Sequence, residues 1–159
     1  MNETDAGRRY PAHPPVRQTL AAPVIVFLTV CTVANKPILA RCDVAALLVS
    51  GWQKTESWAV GRYVIMPDHV HLFCAPSEFP ARPLEQWVRF WKAATSRAWP
   101  RRQEQPVWQR DGWDTQLRRD ENYEAKWEYE IKPDEVSMVR PEGRPAAVKL
   151  VGKLVAVTA

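Results

Sequence analysis

Cysteine is scarce in this chain of 159 residues, where its three copies stand far apart at positions 31, 42 and 74. No pair has the Cys-x-x-Cys spacing of a zinc or redox motif, and an odd number cannot pair completely within one chain. We therefore expect reduced thiols, which are typical of cytoplasmic proteins. Glycine is also rare, with six copies, and 25% of the residues are charged, which argues against a low-complexity chain.

The sequence also lacks an apolar stretch that is long enough to cross a membrane. The apolar run at residues 20–34 is shorter than the about 20 residues that a spanning helix needs, and Pro23 interrupts it. No clear small-residue cleavage site accompanies this run, so a signal peptide is not expected. We predict a cytoplasmic protein that has no membrane partner.

Proline, in contrast, is abundant, and seven of its 14 copies lie near the two ends of the chain, at positions 11, 14, 15, 23, 133, 141 and 145. The length fits one domain, and a hydrophobic content of 46% is enough for one core. Proline-rich ends pack poorly against such a core. We therefore predict a poorly ordered segment at residues 1–22, a folded domain at residues 23–132 and a poorly packed tail at residues 133–159.

Three segments have the composition of strands. Residues 24–33 are rich in β-branched side chains and predict a buried strand. Residues 58–66 and 69–75 predict two more strands, and the short Pro67-Asp68 junction between them favours an antiparallel hairpin.

Three further segments have helical signals. Asp43 is the expected N-cap of a first helix, and Pro83 is expected in the first turn of a second. Asp120 is the expected cap of a third helix, which ends before Pro133, and a short strand precedes it. The resulting order of elements predicts an α+β fold, with a ferredoxin-like antiparallel sheet and helices packed on one face.

Two histidines, His69 and His71, stand in the predicted strand "HVHLFCA". Residues i and i+2 of a strand point to the same face, so the two imidazoles can lie side by side toward one divalent ion. Two nitrogens leave ligand positions open, which suits a catalytic metal better than a structural one. Asp68 and Cys74 are out of phase and are expected on the opposite face. The alternative is a pair of half-buried histidines without a metal.

The positive charge of the chain is concentrated in one segment. The net charge is +4, but residues 89–119 contain eight basic and three acidic residues, a local net charge of +5. Such a surface favours a polyanionic partner, although a solvated helix face is an equal alternative. Six of the eight tryptophans lie at residues 87–127, and Trp108 and Trp113, beside Arg110, suit stacking with single-stranded nucleic acid.

Tyr129 stands apart from the apolar stripe of the last predicted helix. Tyr123, Trp127 and Ile131 recur at helical spacing and are expected to face the core, whereas Tyr129 lies well round the helix. It is either a surface tyrosine or a phenol directed at a reacting group. A phenol has an ordinary pKa near 10, so a nucleophilic tyrosine needs a metal-polarised target.

Three blocks together resemble a known family. The segments "GRYVIMPDHVHLFCAP", "LEQWVRFWK" and "VWQRDGWDTQLRRDENYEAKWEY" are similar to the REP-associated tyrosine transposases, which are IS200-like single-tyrosine transposases of the HUH endonuclease superfamily. The resemblance covers roughly residues 58–129. It implies a ferredoxin-like fold and makes residues 23–132 an IS200-like catalytic domain.

The resemblance also implies a chemistry and a set of residues. His69 and His71 match the HUH histidines and would bind Mg²⁺ or Mn²⁺. Tyr129 matches the catalytic tyrosine, which would attack a phosphate of single-stranded hairpin DNA and form a 5′-phosphotyrosine link. A nucleoid-associated monomer or homodimer is expected. The predicted DNA-binding residues are Arg89, Lys92, Arg97, Trp108, Arg110, Trp113, Arg118 and Arg119.

The sequence departs from the family pattern just after Tyr129. The position four residues on, where a polar residue would complete the metal site, is Pro133. Lys132 is a poor ligand, and Asp134 and Glu130 do not have the expected spacing. A relative that binds hairpin DNA without cleaving it is therefore an alternative. A third is an RRM-like RNA-binding domain, which is disfavoured because no strand shows the aromatic pair that such domains use for stacking.

Overall fold

The computed structural model describes residues 24–117, 124–126, 128 and 150–153 of the chain. These residues form five strands, two α-helices, two short 3-10 turns at Val33–Asn35 and Arg102–Glu104, and a further helical segment at residues 124–126 and 128. The helices and strands are β1 (Val26–Cys31), α1 (Cys42–Gln53), β2 (Trp58–Ile65), β3 (His69–Pro76), α2 (Leu84–Arg97), β4 (Trp113–Gln116) and β5 (Leu150–Lys153). None of the helices in these described ranges is long and apolar enough to cross a membrane.

The strands form one antiparallel sheet in the order β4-β1-β3-β2-β5. The first four strands and the two helices follow the β-α-β-β-α-β order of a ferredoxin-like fold, so the predicted fold class is confirmed. The Pro67-Asp68 junction does connect an antiparallel hairpin, β2–β3. An addition to this plan is β5, which comes from the segment predicted to be a tail and pairs with residues 62–65 of β2.

The two faces of the sheet have different roles. Alternate residues of the central strands pack under α1 and α2 in the hydrophobic core, which includes Val26, Leu28, Val30, Val70, Leu72 and Cys74. The residues between them point to the other side of the sheet. We call this second surface the histidine face and define it by Phe27, Thr29, His69, His71 and Phe73.

The second helix follows its sequence pattern closely. Leu84, Trp87, Val88 and Trp91 recur at helical spacing, and all four lie in the core. Pro83 is at the N-cap and not in the first turn as predicted, and its carbonyl accepts a hydrogen bond from the Gln86 N–H.

The start of the first helix differs from the prediction. The N-cap is Arg41, not Asp43, which lies in the first turn with its carboxylate 3.5 Å from Arg41 Nε. A carboxylate in that turn still interacts favourably with the positive end of the helix dipole. Asp43 therefore acts on this helix through its charge rather than as a cap.

A chain of tryptophan rings connects α2 to both the sheet and the loop that follows the helix. From Trp58 through Trp87, Trp91 and Trp108 to Trp99, successive ring centroids lie 6.1, 6.2, 5.3 and 6.2 Å apart. Three of the four contacts are edge-on, the arrangement that aromatic quadrupoles favour. These contacts fix the loop at residues 98–112 to the body of the domain.

Glu104 fastens the same loop to the start of α1. Its carboxylate accepts two hydrogen bonds from the Arg41 guanidinium, at 2.7 and 3.0 Å, and one from Trp99 Nε1 at 2.7 Å. Lys36 Nζ donates to the Glu104 carbonyl at 3.2 Å. The bonds from Arg41 are the main reason why the pKa of the Glu104 carboxyl is lowered to about 2.

We expect Glu104→Gln to destabilise the protein at neutral pH by about 1–3 kcal/mol, the usual worth of charged hydrogen bonds. Because the folded state lowers the pKa of Glu104, its contribution is complete above the ordinary pKa of 4.5 and is lost as the pH falls toward 2. The variant should therefore lose less stability over this range than the parent protein. Urea unfolding at several pH values measures both effects.

The matched control is Glu85→Gln. Glu85 pairs with Arg89 on the exposed surface of α2, and such pairs contribute at most about 1 kcal/mol. Equal losses of stability in the two variants would contradict the role given to Glu104.

Candidate functional site

His69 and His71 lie side by side on the histidine face, with their Nε2 atoms 3.1 Å apart. Each ring is also held at its other nitrogen. His69 Nδ1 lies 2.7 Å from Asp68 Oδ1, and His71 Nδ1 lies 2.8 Å from Thr29 Oγ1. The ring planes make an angle of 77°, and both side chains are half-buried. The strand period thus brings the two imidazoles together as predicted.

This donor pair fits a divalent ion. Adjacent ligands at about 2.1 Å from an octahedral ion lie about 3 Å apart, which matches the 3.1 Å between the two Nε2 atoms. A ring whose Nδ1–H is held by a carboxylate is a common arrangement among metal-binding histidines. Among the described residues, no group of three or more His, Cys, Asp and Glu side chains converges on one ion position. An ion at this position would take two ligands from the pair.

Asp68 does not turn away from the histidines as the strand alternation predicted. It precedes β3, which begins at His69, so the alternation of the strand does not extend to it. Its backbone carbonyl accepts hydrogen bonds from the Thr32 N–H and hydroxyl, at 2.9 and 3.1 Å, which fixes the junction. The position of Asp68 directly before His69 was the sequence signal for the contact between its carboxylate and His69 Nδ1.

Two cysteines near the histidine strand are unsuited to bind a metal. Cys74 is buried in the core on the opposite face, as predicted, and burial strongly raises the pKa of its thiol. Cys31 is the cross-strand partner of His69. Burial, with the nearby Asp68 carboxylate, raises the pKa of the Cys31 thiol, which keeps it protonated and a poor ligand.

An aromatic layer supports the histidines. The Phe27 ring stacks on His71 with 5.3 Å between centroids and 18° between planes, and it contacts Phe73 at 5.0 Å. Phe27 and Phe73 are cross-strand partners on β1 and β3, an aromatic contact that the sequence did not predict. However, the two side chains are only 7% and 1% exposed, so they are not open to stacking bases.

The residues that precede Tyr129 contact the histidine side of the sheet. Residues 124–126 and 128 are helical. Lys126 Nζ lies 5.4 Å from the centroid of the Phe27 ring, and Glu124 Oε2 lies 2.6 Å from Arg62 Nη1. Tyr129 itself is outside the described residues, as are positions 130–134 and the apolar stripe of Tyr123, Trp127 and Ile131. The described part of this segment therefore lies opposite α1 and α2, across the sheet.

Two predicted DNA-binding residues are buried. Lys92 is 8% exposed and donates from Nζ to the carbonyls of Gln109 and Arg110, at 2.9 and 3.4 Å. Burial lowers the pKa of its ammonium group to about 8. Trp108 is 9% exposed and donates from Nε1 to Thr95 Oγ1 at 3.2 Å. Both side chains stabilise the loop after α2.

The other predicted DNA-binding residues divide into three groups. Arg89, Arg97 and Arg110 are exposed, and Arg89 pairs with Glu85 one helical turn away. Trp113 begins β4 as the cross-strand partner of Thr29, so its backbone lies beside β1 and one strand away from β3, which carries the histidines. Arg118 and Arg119 are outside the described residues. The exposed arginines thus remain available to a polyanion.

The comparisons with known proteins concern the fold. No protein-family model matches the chain, and no curated protein matches it in sequence. Among solved structures, the chain is similar to a REP-associated tyrosine transposase bound to a REP hairpin, with 17% identity and a TM-score of 0.51 over 81% of this chain and 68% of that one. It also matches a suspected transposase of Deinococcus radiodurans R1, with 21% identity and a TM-score of 0.48 over 73% and 94% of the two chains.

We expect His69→Ala and His71→Ala each to weaken Mn²⁺ binding by more than about 100-fold, because loss of a direct ligand should exceed the 10- to 100-fold effect of an outer-shell change. Titration followed by electron paramagnetic resonance of free Mn²⁺ measures this affinity. His13→Ala, which changes the remaining histidine of the chain, is the control. Unchanged binding in both His69 and His71 variants would exclude this pair as the metal site.

Proposed function

We propose that the protein is a metal-dependent single-stranded DNA endonuclease and strand transferase, a transposase that acts on hairpin DNA. The observation that carries this function is the convergence of His69 Nε2 and His71 Nε2 to 3.1 Å on one face of a ferredoxin-like sheet. The fold shared with a REP-associated tyrosine transposase supports it. So does the resemblance of residues 58–129 to that family.

The metal would be held by His69 and His71. Imidazole nitrogen is a better ligand for transition ions than for Mg²⁺, so Mn²⁺ is the better fit of the two expected ions. When bound, such an ion polarises a phosphate oxygen and neutralises the charge that develops on it. The protein's contribution is a pair of rings whose positions are already fixed by Asp68, Thr29 and Phe27.

Tyr129 is the proposed nucleophile. Its phenol oxygen would attack the scissile phosphorus and lose its proton, the bond from phosphorus to the 3′ oxygen would break, and that oxygen would take up a proton and leave as a 3′-hydroxyl. The product is a 5′-phosphotyrosine link. The contacts of Lys126 with Phe27 and of Glu124 with Arg62 support this assignment, because they bring the chain to the histidine side of the sheet shortly before Tyr129.

The proposed substrate is a single-stranded DNA hairpin. Its phosphates would pair with the exposed Arg89, Arg97 and Arg110. Arg118 and Arg119 are further candidates for phosphate contacts, and Trp113 is a candidate for stacking with a base. Phosphate contacts of this kind position the DNA and make its binding sensitive to salt. The similar transposase was solved with a REP hairpin, which favours the same class of ligand here.

A binding protein without cleavage activity is the second candidate function. It is favoured by Pro133, which has no ligand atom where a third metal ligand is expected. Such a protein would bind hairpin DNA in the absence of a divalent ion and form no covalent product. The RNA-binding alternative is disfavoured by the burial of Phe27 and Phe73, which leaves no aromatic platform on the described strands β1 and β3.

The test is to mix the full chain with end-labelled hairpin DNA and Mn²⁺ and to separate the products on a denaturing gel. We expect a covalent protein–DNA adduct that requires Mn²⁺ and is lost in Tyr129→Phe, because the phenol oxygen is the bond-forming atom. A hairpin that is bound but not captured would identify the binding protein. Tighter binding of an RNA hairpin than of the DNA hairpin would identify the RNA-binding alternative.

Tyr63→Phe is the matched tyrosine control. Tyr63 packs edge-on against Trp52, 5.1 Å between centroids, and burial raises the pKa of its phenol, which makes it a poor nucleophile. This variant should form the adduct as the parent does. If Tyr129→Phe also formed it, the assignment of the nucleophile would be wrong.

A further inference from the structure

The groups around the two histidines form one continuous chain of contacts. It runs from Thr29 Oγ1 to His71 Nδ1 at 2.8 Å, from His71 Nε2 to His69 Nε2 at 3.1 Å, and from His69 Nδ1 to Asp68 Oδ1 at 2.7 Å. All three distances are within hydrogen-bonding range. Without an ion, a hydrogen bond at each contact has one hydrogen between its two atoms.

When both rings are neutral, the three hydrogen bonds can be assigned donors and acceptors in one consistent way. An ionised Asp68 carboxylate only accepts, so the proton of His69 is on Nδ1 and its Nε2 is bare. The contact between the rings then needs a proton on His71 Nε2, which leaves His71 Nδ1 bare. Thr29 must consequently donate its hydroxyl proton to His71 Nδ1.

A divalent ion needs a different arrangement at His71. Binding through both Nε2 atoms requires that the proton of His71 leaves Nε2 and that one is taken up on Nδ1, a change of tautomer with no net loss of protons. His71 Nδ1 then becomes a donor, and its partner must accept. A hydroxyl can do both because it carries one proton and two lone pairs.

We infer that Asp68 and Thr29 are positioning residues for the metal pair, and that the hydroxyl of Thr29 lets His71 exchange its tautomer when the ion binds. This inference rests on the proposed function and specifies how the chain prepares its histidines. Asp68 fixes the tautomer of His69 in both states. Thr29 is held opposite His71 by the β1–β3 register, and the stacked Phe27 ring keeps the His71 ring nearly parallel to itself.

The first test compares Mn²⁺ affinities of the full chain by electron paramagnetic resonance. Thr29→Val has nearly the same shape but no hydroxyl, and we expect about 10- to 100-fold weaker binding. Thr29→Ser restores the hydroxyl and should bind within a few-fold of the parent. Asp68→Ala should also bind about 10- to 100-fold more weakly, because His69 loses the partner that orients it.

Thr115→Val is the control for the loss of a threonine hydroxyl. Thr115 is exposed on β4, opposite Phe27. The Thr115→Val variant should bind Mn²⁺ as tightly as the parent protein does. If Thr29→Val bound as tightly as the parent, or Thr29→Ser as weakly as Thr29→Val, the role of Thr29 would be overturned while the proposed nuclease function still stood.

The second test needs no metal. Long-range proton–nitrogen correlation spectra of the two rings, recorded where both are neutral, should show His69 protonated on Nδ1 and His71 on Nε2. In Asp68→Ala, the population of His69 protonated on Nδ1 should fall. Two rings of the same tautomer in the parent would overturn the inference, whatever the DNA assay shows.

Discussion

The two-sided geometry of the central strand β3 is the constraint on which the rest of the structure depends. Because successive side chains of a strand point to opposite faces, Val70, Leu72 and Cys74 enter the core while His69 and His71 remain on the other surface. A slip of one residue would put both histidines in the core and expose the valine and the leucine. The hydrophobic core thus fixes the register, and the register fixes the site.

The pairing of β3 with β1 carries this constraint further. It sets Thr29 beside His71, Phe27 beside Phe73 and Cys31 beside His69. The same antiparallel contacts that stabilise the sheet therefore choose which groups surround each imidazole. A fold with the same order of elements but a different register would keep the histidines and lose their supporting groups.

Much of the fold could be predicted because its local patterns are strong. The apolar stripe of α2 and the β-branched run of β1 each identify their element, and the order of elements then leaves few topologies. The strand alternation gave the wrong direction for Asp68, because a residue before a strand does not follow it. The pair of Phe27 and Phe73 was also hidden, since only the register brings these distant positions together.

Charge patterns were less informative than apolar patterns. Lys92 counts as a surface cation in the sequence, but it lies on the buried side of α2 and satisfies two loop carbonyls. Trp108 is likewise buried, because it packs against Trp91 in the chain of tryptophan rings. A basic, aromatic segment can therefore divide into an inner part that anchors a loop and an outer part that faces solvent, and composition does not separate the two.

The pairing of β5 with β2 has a consequence for the order of folding. Residues 150–153 pair with residues 62–65, so this contact closes a loop of almost ninety residues, and such distant contacts form late because of their entropy cost. During synthesis, β1, β2 and β3 leave the ribosome long before β5 does. The surface that carries the histidines can then assemble first, and one edge of its sheet is completed only when β5 is available.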